Sequence, residues 1–369
     1  MKTRIRWAAA SAIAAMISGV LLLFLFQKAD SRKRQTGSMA ANGVSAPRSV
    51  RPVDSVEPEP RSRSYAETRQ FAGLSAADRR AFMRSVLKLE HREIFQTMLA
   101  AGRVEQDPMK EGALATTLAQ SIRERRPIPD FFAQIREFAI NPANPRLERI
   151  EVIAVLSNAA TKESVELLID LSTSIADADV RQVAALSVGR VGALHGDGIA
   201  LSPSLERVWR ESSDQPMLLS VASSLAKIGA PSGIELLLAS ALESDGRDNR
   251  FAAAQNALQE VYLPNAVPPL AARLANQPPT SAPAQLVAPI LANIGDVTAA
   301  NAVLSWLQGQ SEDASPLIQV LVVQRTRTEK MLTAWTAALD PTVPFRNEQN
   351  RQAIREGLAA YRAAHTLQR

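Results

Sequence analysis

Residues 224–242 read SLAKIGAPSGIELLLASAL, two short apolar runs hinged on the turn Ile228–Gly233. Taking Leu225 as an anchor, apolar residues follow at +9 (Ile234), +12 (Leu237) and +13 (Leu238). The same spacing runs from Leu258 to Val267 and Leu270, from Leu291 to Ala300, Val303 and Leu304, and from Leu156 to Val165, Leu168 and Ile169. Leu225, Leu258 and Leu291 are each 33 residues apart. Val188 fills the place before Leu225 if about four residues are inserted in GALHGDGIALSP, residues 192–203. A hairpin of two helices cannot cover its own apolar faces, so a repeating hairpin reads as a stack in which neighbours supply the core.

The punctuation repeats with the anchors. RVGAL (190–194), KIGAP (227–231), NIGDV (293–297) and VYLPN (261–265) stand where Gly or Pro releases the first helix into a turn. Arg149 and Arg181 each precede their anchors by seven residues and Arg250 precedes Leu258 by eight. DADVRQVAALSVGRVGA and DNRFAAAQNALQEV share an Asp able to cap the first helix, followed by an Arg.

These residues resemble the HEAT-repeat family, in the short form first recognised in phycobilisome-lyase-like proteins. The pattern D-V-R-x-x-A-A-x-x-V/L-x-x-I/V-G is matched by Asp179–Gly192, and its second half by Leu225–Gly229 and Leu291–Gly295. The resemblance covers residues 146–340. The unit after Leu258 ends in VYLP without Gly, and PLIQVLVVQRTRTEKMLTAWTAAL (316–339) fits only loosely. The expected fold is an all-α, right-handed α-solenoid of stacked hairpins. A helix over 341–369 with Ile354, Leu358 and Tyr361 on one stripe is expected to close the stack.

Between residues 65 and 145 three helices are expected, with no repeat signal. LSAADRRAFMRSVLKLEHREIFQTMLAAG (74–102) opens on Ser75 and Asp78 in capping-box spacing, with Phe82, Val86, Leu89 and Phe95 on one face. MKEGALATTLAQSIRERRP (109–127) follows, and Asp130 is expected to cap FFAQIREFAI (131–140).

The amino terminus carries a different signal. After a short flank, residues 1–6, the stretch Trp7–Phe26 holds no charge; as a helix it spans about 30 Å, enough to cross a bilayer. Lys2, Arg4 and Arg6 precede it, and Lys28, Arg32, Lys33 and Arg34 follow. An uncleaved signal anchor is the expected reading and a cleaved signal peptide its rival; the nearest small-x-small site, Ser38–Ala40, lies beyond the basic cluster. The short flank favours export of the body from a cell's inner membrane, although the flanking charges nearly balance. Residues 27–64, rich in Ser, Pro, Gly and Arg, cannot bury enough surface to fold and read as a tether of roughly 35 Å.

Charge excludes one function class. Residues 1–64 hold 11 Lys and Arg against 4 Asp and Glu, while the remainder holds 31 against 33. The basic balance belongs to the terminus, and no nucleic-acid-binding face is expected on the body. The absence of cysteine removes disulfides, thiolate metal sites and cysteine nucleophiles.

Candidate chemistry is sparse. Ser224 and Lys227 form an S-x-x-K string without the accompanying S-D-N and K-T-G, and Ser85–Lys88 repeats it by chance. His91, His195 and His365 are dispersed with no metal-binding spacing. ESDGRDNR (243–250) lacks the spacing of a calcium loop, and Asp248 reads better as a cap. No cofactor or metal is expected. Two features are candidates for contact with a protein partner: His195 and Asp197 in the insertion 193–202, and Trp306, which falls off the core stripe at +15. Each has a plainer reading, a long turn for the insertion and burial against the next unit for the tryptophan; Trp209 reads as core. The expected function is a membrane-tethered, non-enzymatic scaffold or assembly factor that binds a protein. The resemblance also implies a rival, a lyase acting on a bilin or other tetrapyrrole.

Overall fold

Each repeat anchor is a fully buried side chain: Leu156, Val188, Leu225, Leu258 and Leu291 expose none of their surface. The partners at +9 and +12 of Leu156, Leu225, Leu258 and Leu291 are buried with them. Each buried leucine contributes on the order of 1.5–3 kcal/mol to the stack.

The computed structural model describes residues 71–125, 129–194, 197–243, 249–326 and 328–366, all within the unit Pro60–Arg369. The described residues are helical throughout, without a strand. In chain order the helices are α1 (Ala76–Val86), α2 (His91–Arg103), α3 (Pro108–Arg125), α4 (Pro129–Ile140), α5 (Arg146–Ala159), α6 (Lys162–Ser174), α7 (Ala178–Val191), α8 (Ser202–Glu211) and α9 (Gln215–Ile228). They continue with α10 (Pro231–Glu243), α11 (Asn249–Leu258), α12 (Val267–Leu274), α13 (Ala282–Ile294), α14 (Val297–Gly309), α15 (Ser315–Gln319), α16 (Glu329–Ala337) and α17 (Glu348–Thr366). A π-helical stretch, Val320–Arg325, continues α15.

These helices form two layers. In the first, α1, α3, α5, α7, α9 and α11 pack side by side in turn; α13 packs on the π-helical stretch, which packs on α17. In the second, α4, α6, α8, α10, α12, α14 and α16 do the same. Antiparallel partners such as α6–α7, α10–α11 and α12–α13 join the layers, making an α-solenoid of paired helices. Packing is continuous across residue 145, because α3 sits on α5 much as α5 sits on α7. The first layer is tightest at α7–α9, where Gly189, Gly192, Ser187, Ser220 and Ser224 let the backbones approach. A Cβ on Gly189 would stand 3.1 Å from the Ser220 Cα.

The turns follow a register of anchor plus four. Gly229 (φ +65°) and Gly295 (φ +62°) end α9 and α13 in the left-handed region that favours glycine. Ala160 (φ +50°) holds the same place after Leu156 without glycine's freedom. Gly192, at the same register, keeps right-handed geometry; its small size serves packing instead.

Two local expectations are corrected. The segment 74–102 is not one helix but two, α1 and α2, broken at Leu87–Glu90. No Gly or Pro marks the break. It is made by Glu90, which forms a reciprocal capping box with Glu93, and it leaves Leu89 exposed. Ser75 does cap α1, its Oγ accepting from Asp78 N at 3.1 Å. In α7 the cap is Asp177, accepting from the amides of Asp179 and Val180, whereas Asp179 pairs with Arg146 of α5. The helix expected from Asp130 begins one residue earlier, at Pro129. The closing stripe holds for Ile354 and Leu358, which are buried.

Candidate functional site

The repeated arginines tie helices together. Arg149 Nε donates to the Ala139 carbonyl at the end of α4 (2.8 Å), and its guanidinium lies 3.6 Å from the Asp177 carboxylate, the cap of α7. Arg181 donates to the Ile175 carbonyl past the end of α6 (2.9 Å). Arg250 donates to the carbonyls of Trp209 (2.9 Å), Arg210 (3.1 Å) and Ser212 (2.7 Å) at the end of α8. In each case a cation meets the carbonyl end of a second-layer helix, where the helix dipole favours it. The repeated Arg is thus a clamp between units.

The candidate contact residues do not gather into one place. Asp197 is tied into the fold: its backbone N–H donates to the Ala160 carbonyl (3.0 Å) and its carboxylate accepts from Lys162 N (2.7 Å), at the start of α6. The insertion therefore folds back on the α5–α6 turn and adds the short 3₁₀ helix Gly198–Leu201. Trp306 is buried, 4 % exposed, with its indole N–H donating to the Gln277 carbonyl at 2.9 Å. That burial removes its ring from the outer surface. Trp209 is buried as expected. His195, Asp248 and the stretch Trp7–Phe26 lie outside the described residues.

The S-x-x-K string does not form a nucleophile and base pair. Ser224 is buried and faces α7, its hydroxyl donating to the Val188 carbonyl and accepting from Gly192 N (3.1 Å). Lys227 turns to the other side, where Nζ meets Ser223 Oγ (2.8 Å) and the Glu260 carboxylate (3.0 Å). His91 is likewise internal: its Nε2 lies 3.2 Å from the Ser121 carbonyl and its ring 5.5 Å from that of Phe131. Burial lowers its pKa. Among the described residues no group of three or more His, Asp or Glu is placed to hold a metal. Among them, too, no helix is long and apolar enough to cross a membrane.

Two surface features were not legible in the sequence. On the outer side of the first layer, Leu186 of α7 and Leu219 of α9 are 48 % and 42 % exposed on adjacent helices. Ser223, Lys227 and Glu260 form a bonded polar cluster on α9 and beyond the end of α11, Ser223 Oγ donating to Glu260 at 2.7 Å. Glu151 of α5 has its carboxyl pushed up to about 8, foremost by burial and then by a hydrogen bond with Glu111 of α3. The i, i+3 spacing of Glu148 and Glu151 was a weak signal of a shared face; nothing in the sequence placed Glu111 opposite them.

No family model matches the chain, and no curated protein matches it in sequence. Among solved structures, human deoxyhypusine hydroxylase in complex with glycerol aligns with 76% of this chain and 98% of its own, at 15% identity and a TM-score of 0.26. A superposition that loose supports no conclusion about this chain.

Proposed function

We propose that the chain is a membrane-tethered, HEAT-like, right-handed α-solenoid that binds a protein partner and carries out no chemistry of its own. The observation that supports this best is the pair Leu186 and Leu219, large apolar side chains half exposed on neighbouring helices of the first layer. Apolar side chains on a preformed surface are the usual anchors of protein interfaces. The polar groups that drew attention in the sequence support the same reading, since Ser224, Lys227, Asp197 and Arg149 are engaged in joining helices. The uncharged stretch Trp7–Phe26 and the polar residues after it support an anchor and a leash that export the body.

The test is photo-crosslinking in cells from a reactive residue placed at Leu186 or Leu219. The reading expects one predominant crosslinked protein, lost in the double variant Leu186→Glu/Leu219→Glu while the thermal midpoint stays within a few degrees. Failure to crosslink from either position, or crosslinking unchanged by the double variant, refutes this surface as the binding face. A reporter fused after residue 369 reads the anchor separately: activity only outside the cytoplasm and resistance to alkaline carbonate extraction are expected.

A further inference from the structure

We infer that the outward face of α1, together with Leu89 beyond its end, docks the first helices of the array on an anionic phospholipid surface. On the membrane-tethered reading, which this rests on, α1 is the part of the body that meets the bilayer.

α1 has two unlike sides. The inner side packs on α3: Val86 is buried, Met83 Sδ accepts from Thr117 Oγ1 at 3.2 Å, and Lys110 Nζ lies 5.9 Å from the Phe82 ring centroid. On the outer side Ala77, Arg80, Ala81, Arg84, Ser85 and Lys88 are all exposed. Arg80, Arg84 and Lys88 follow one another at intervals of four, which sets three cations in a row along that side. Among the described residues no carboxylate pairs with them. Arg80 Nε donates to the Ala76 carbonyl (3.0 Å) and Arg84 Nε to the Arg80 carbonyl (3.4 Å), each one turn back. By contrast, the exposed Arg136 and Arg146 each meet a carboxylate, Asp170 and Asp179. At the far end of the row, the break before α2 leaves Leu89 exposed, and Arg125 of α3 donates to its carbonyl. The nearby acids are engaged locally: Asp78 with Ser75 Oγ (2.6 Å), Glu90 and Glu93 with each other's amides, and Glu124 with Gln120 (2.7 Å).

Like charges four residues apart destabilise a helix, so the row is not there to hold α1 together. No second element stands beside it to wall in a small anion. A plane of lipid phosphates needs no walls: it meets a row of cations on one helix side, and an exposed leucine beside them adds apolar contact at the interface. The chain's own amino-terminal residues 1–64, with 11 basic against 4 acidic, lack the anions to take that place. Along the chain, α1 is the first helix after the uncharged stretch Trp7–Phe26 and the polar residues that follow it. Each Lys or Arg at an anionic membrane surface strengthens binding roughly fivefold, so three contribute about a hundredfold. That is weak for a free protein but sufficient for one confined near the bilayer by a leash.

The chain has no cysteine, so a single dye can be placed by Ala81→Cys on α1 or by Gln352→Cys on the exposed side of α17. Full-length protein is reconstituted in phosphatidylcholine vesicles, with or without phosphatidylglycerol, that carry a nitroxide quencher on the headgroups. The dye at 81 is expected to be quenched several-fold more when phosphatidylglycerol is present, and the dye at 352 equally in both. About 1 M salt, where the screening length falls to about 3 Å, should abolish the difference. So should the triple variant Arg80→Gln/Arg84→Gln/Lys88→Gln, with an unchanged thermal midpoint, whereas millimolar inorganic phosphate should leave it intact. Alkaline carbonate extraction of the same vesicles reads the tether separately. Extracted protein would remove the tether and the docking with it. Retained protein whose dye at 81 is quenched alike in both lipids, or is released by inorganic phosphate, would overturn the docking alone. So would retained protein unquenched at 81 that instead crosslinks from that position to one acidic protein in cells.

Discussion

Gly192 and Ser224 meet backbone to backbone across α7 and α9: a Cβ on Gly192 would stand 2.5 Å from the Ser224 carbonyl oxygen and 2.8 Å from its Cα. The Ser224 hydroxyl sits in the same seam, bridging the Val188 carbonyl and the Gly192 amide. Ser157 repeats the contact one unit earlier, donating to the Ser187 carbonyl at 3.1 Å. Small residues bring the helices together and serine hydroxyls tie them.

Gly192→Ala is therefore expected to destabilise the protein by about 1–3 kcal/mol, the range for forcing extra volume into a packed seam. Ser224→Ala should cost about 1–2 kcal/mol by removing the buried hydroxyl that bridges the Val188 carbonyl and the part-buried Gly192 amide. Chemical denaturation checks both. A Gly192→Ala variant as stable as wild type would show that α7 and α9 are not this close.

The left-handed turn positions separate strain from packing. Ala160 adopts φ +50° where its counterparts Gly229 and Gly295 are glycine. Relief of about 1–2 kcal/mol of strain in Ala160→Gly is opposed by the greater freedom glycine gains in the unfolded chain, about 0.5–1 kcal/mol. The net expectation is a gain of up to about 1 kcal/mol. The reverse change, Gly229→Ala, combines strain with a Cβ 3.1 Å from that of Leu263 and should lose at least as much. Opposite signs of the two shifts in thermal midpoint are the outcome to look for.

Arg149 offers a third test. Its side chain is buried, and removing it strands the Ala139 carbonyl and a favourable charge beside Asp177. Arg149→Met, close in shape, should cost about 2–3 kcal/mol, the range for buried hydrogen bonds to a charged group. Arg181→Met, whose arginine is only partly buried, should cost less. Urea titration of the two variants reads the difference.

What the sequence disclosed was whatever repeats. Leu156, Val188, Leu225, Leu258 and Leu291 recur in register because each fills the same gap between hairpins, and all are buried. The arginines were visible as a recurring letter, although their carbonyl partners were not, since those lie about 6 to 41 residues away. The break at Leu87–Glu90 was hidden because a capping box of two glutamates reads like helix interior. Trp306 took the plainer of its two readings, burial, for a geometric reason: an offset from the core stripe of one helix can still point at a neighbouring loop, here the Gln277 carbonyl. The Glu111–Glu151 contact spans two helices with no repeat relation, so no periodicity announced it.

Leu258 tests the array as a whole. It is fully buried in α11, and α11 packs on α9 and α10. Truncation to alanine should cost about 2–5 kcal/mol through lost burial and the cavity left behind. In a stack where each unit touches only its neighbours, that loss stays local. Its direction is also set: α11 packs on α9, whereas α13 packs on α12, α14 and the π-helical stretch. Hydrogen exchange on Leu258→Ala should therefore show protection falling in α9–α12, falling less in α13–α17, and holding in α3–α6. Uniform loss from residue 71 to residue 366 would mean one cooperative globule, and the modular reading of the stack would fail.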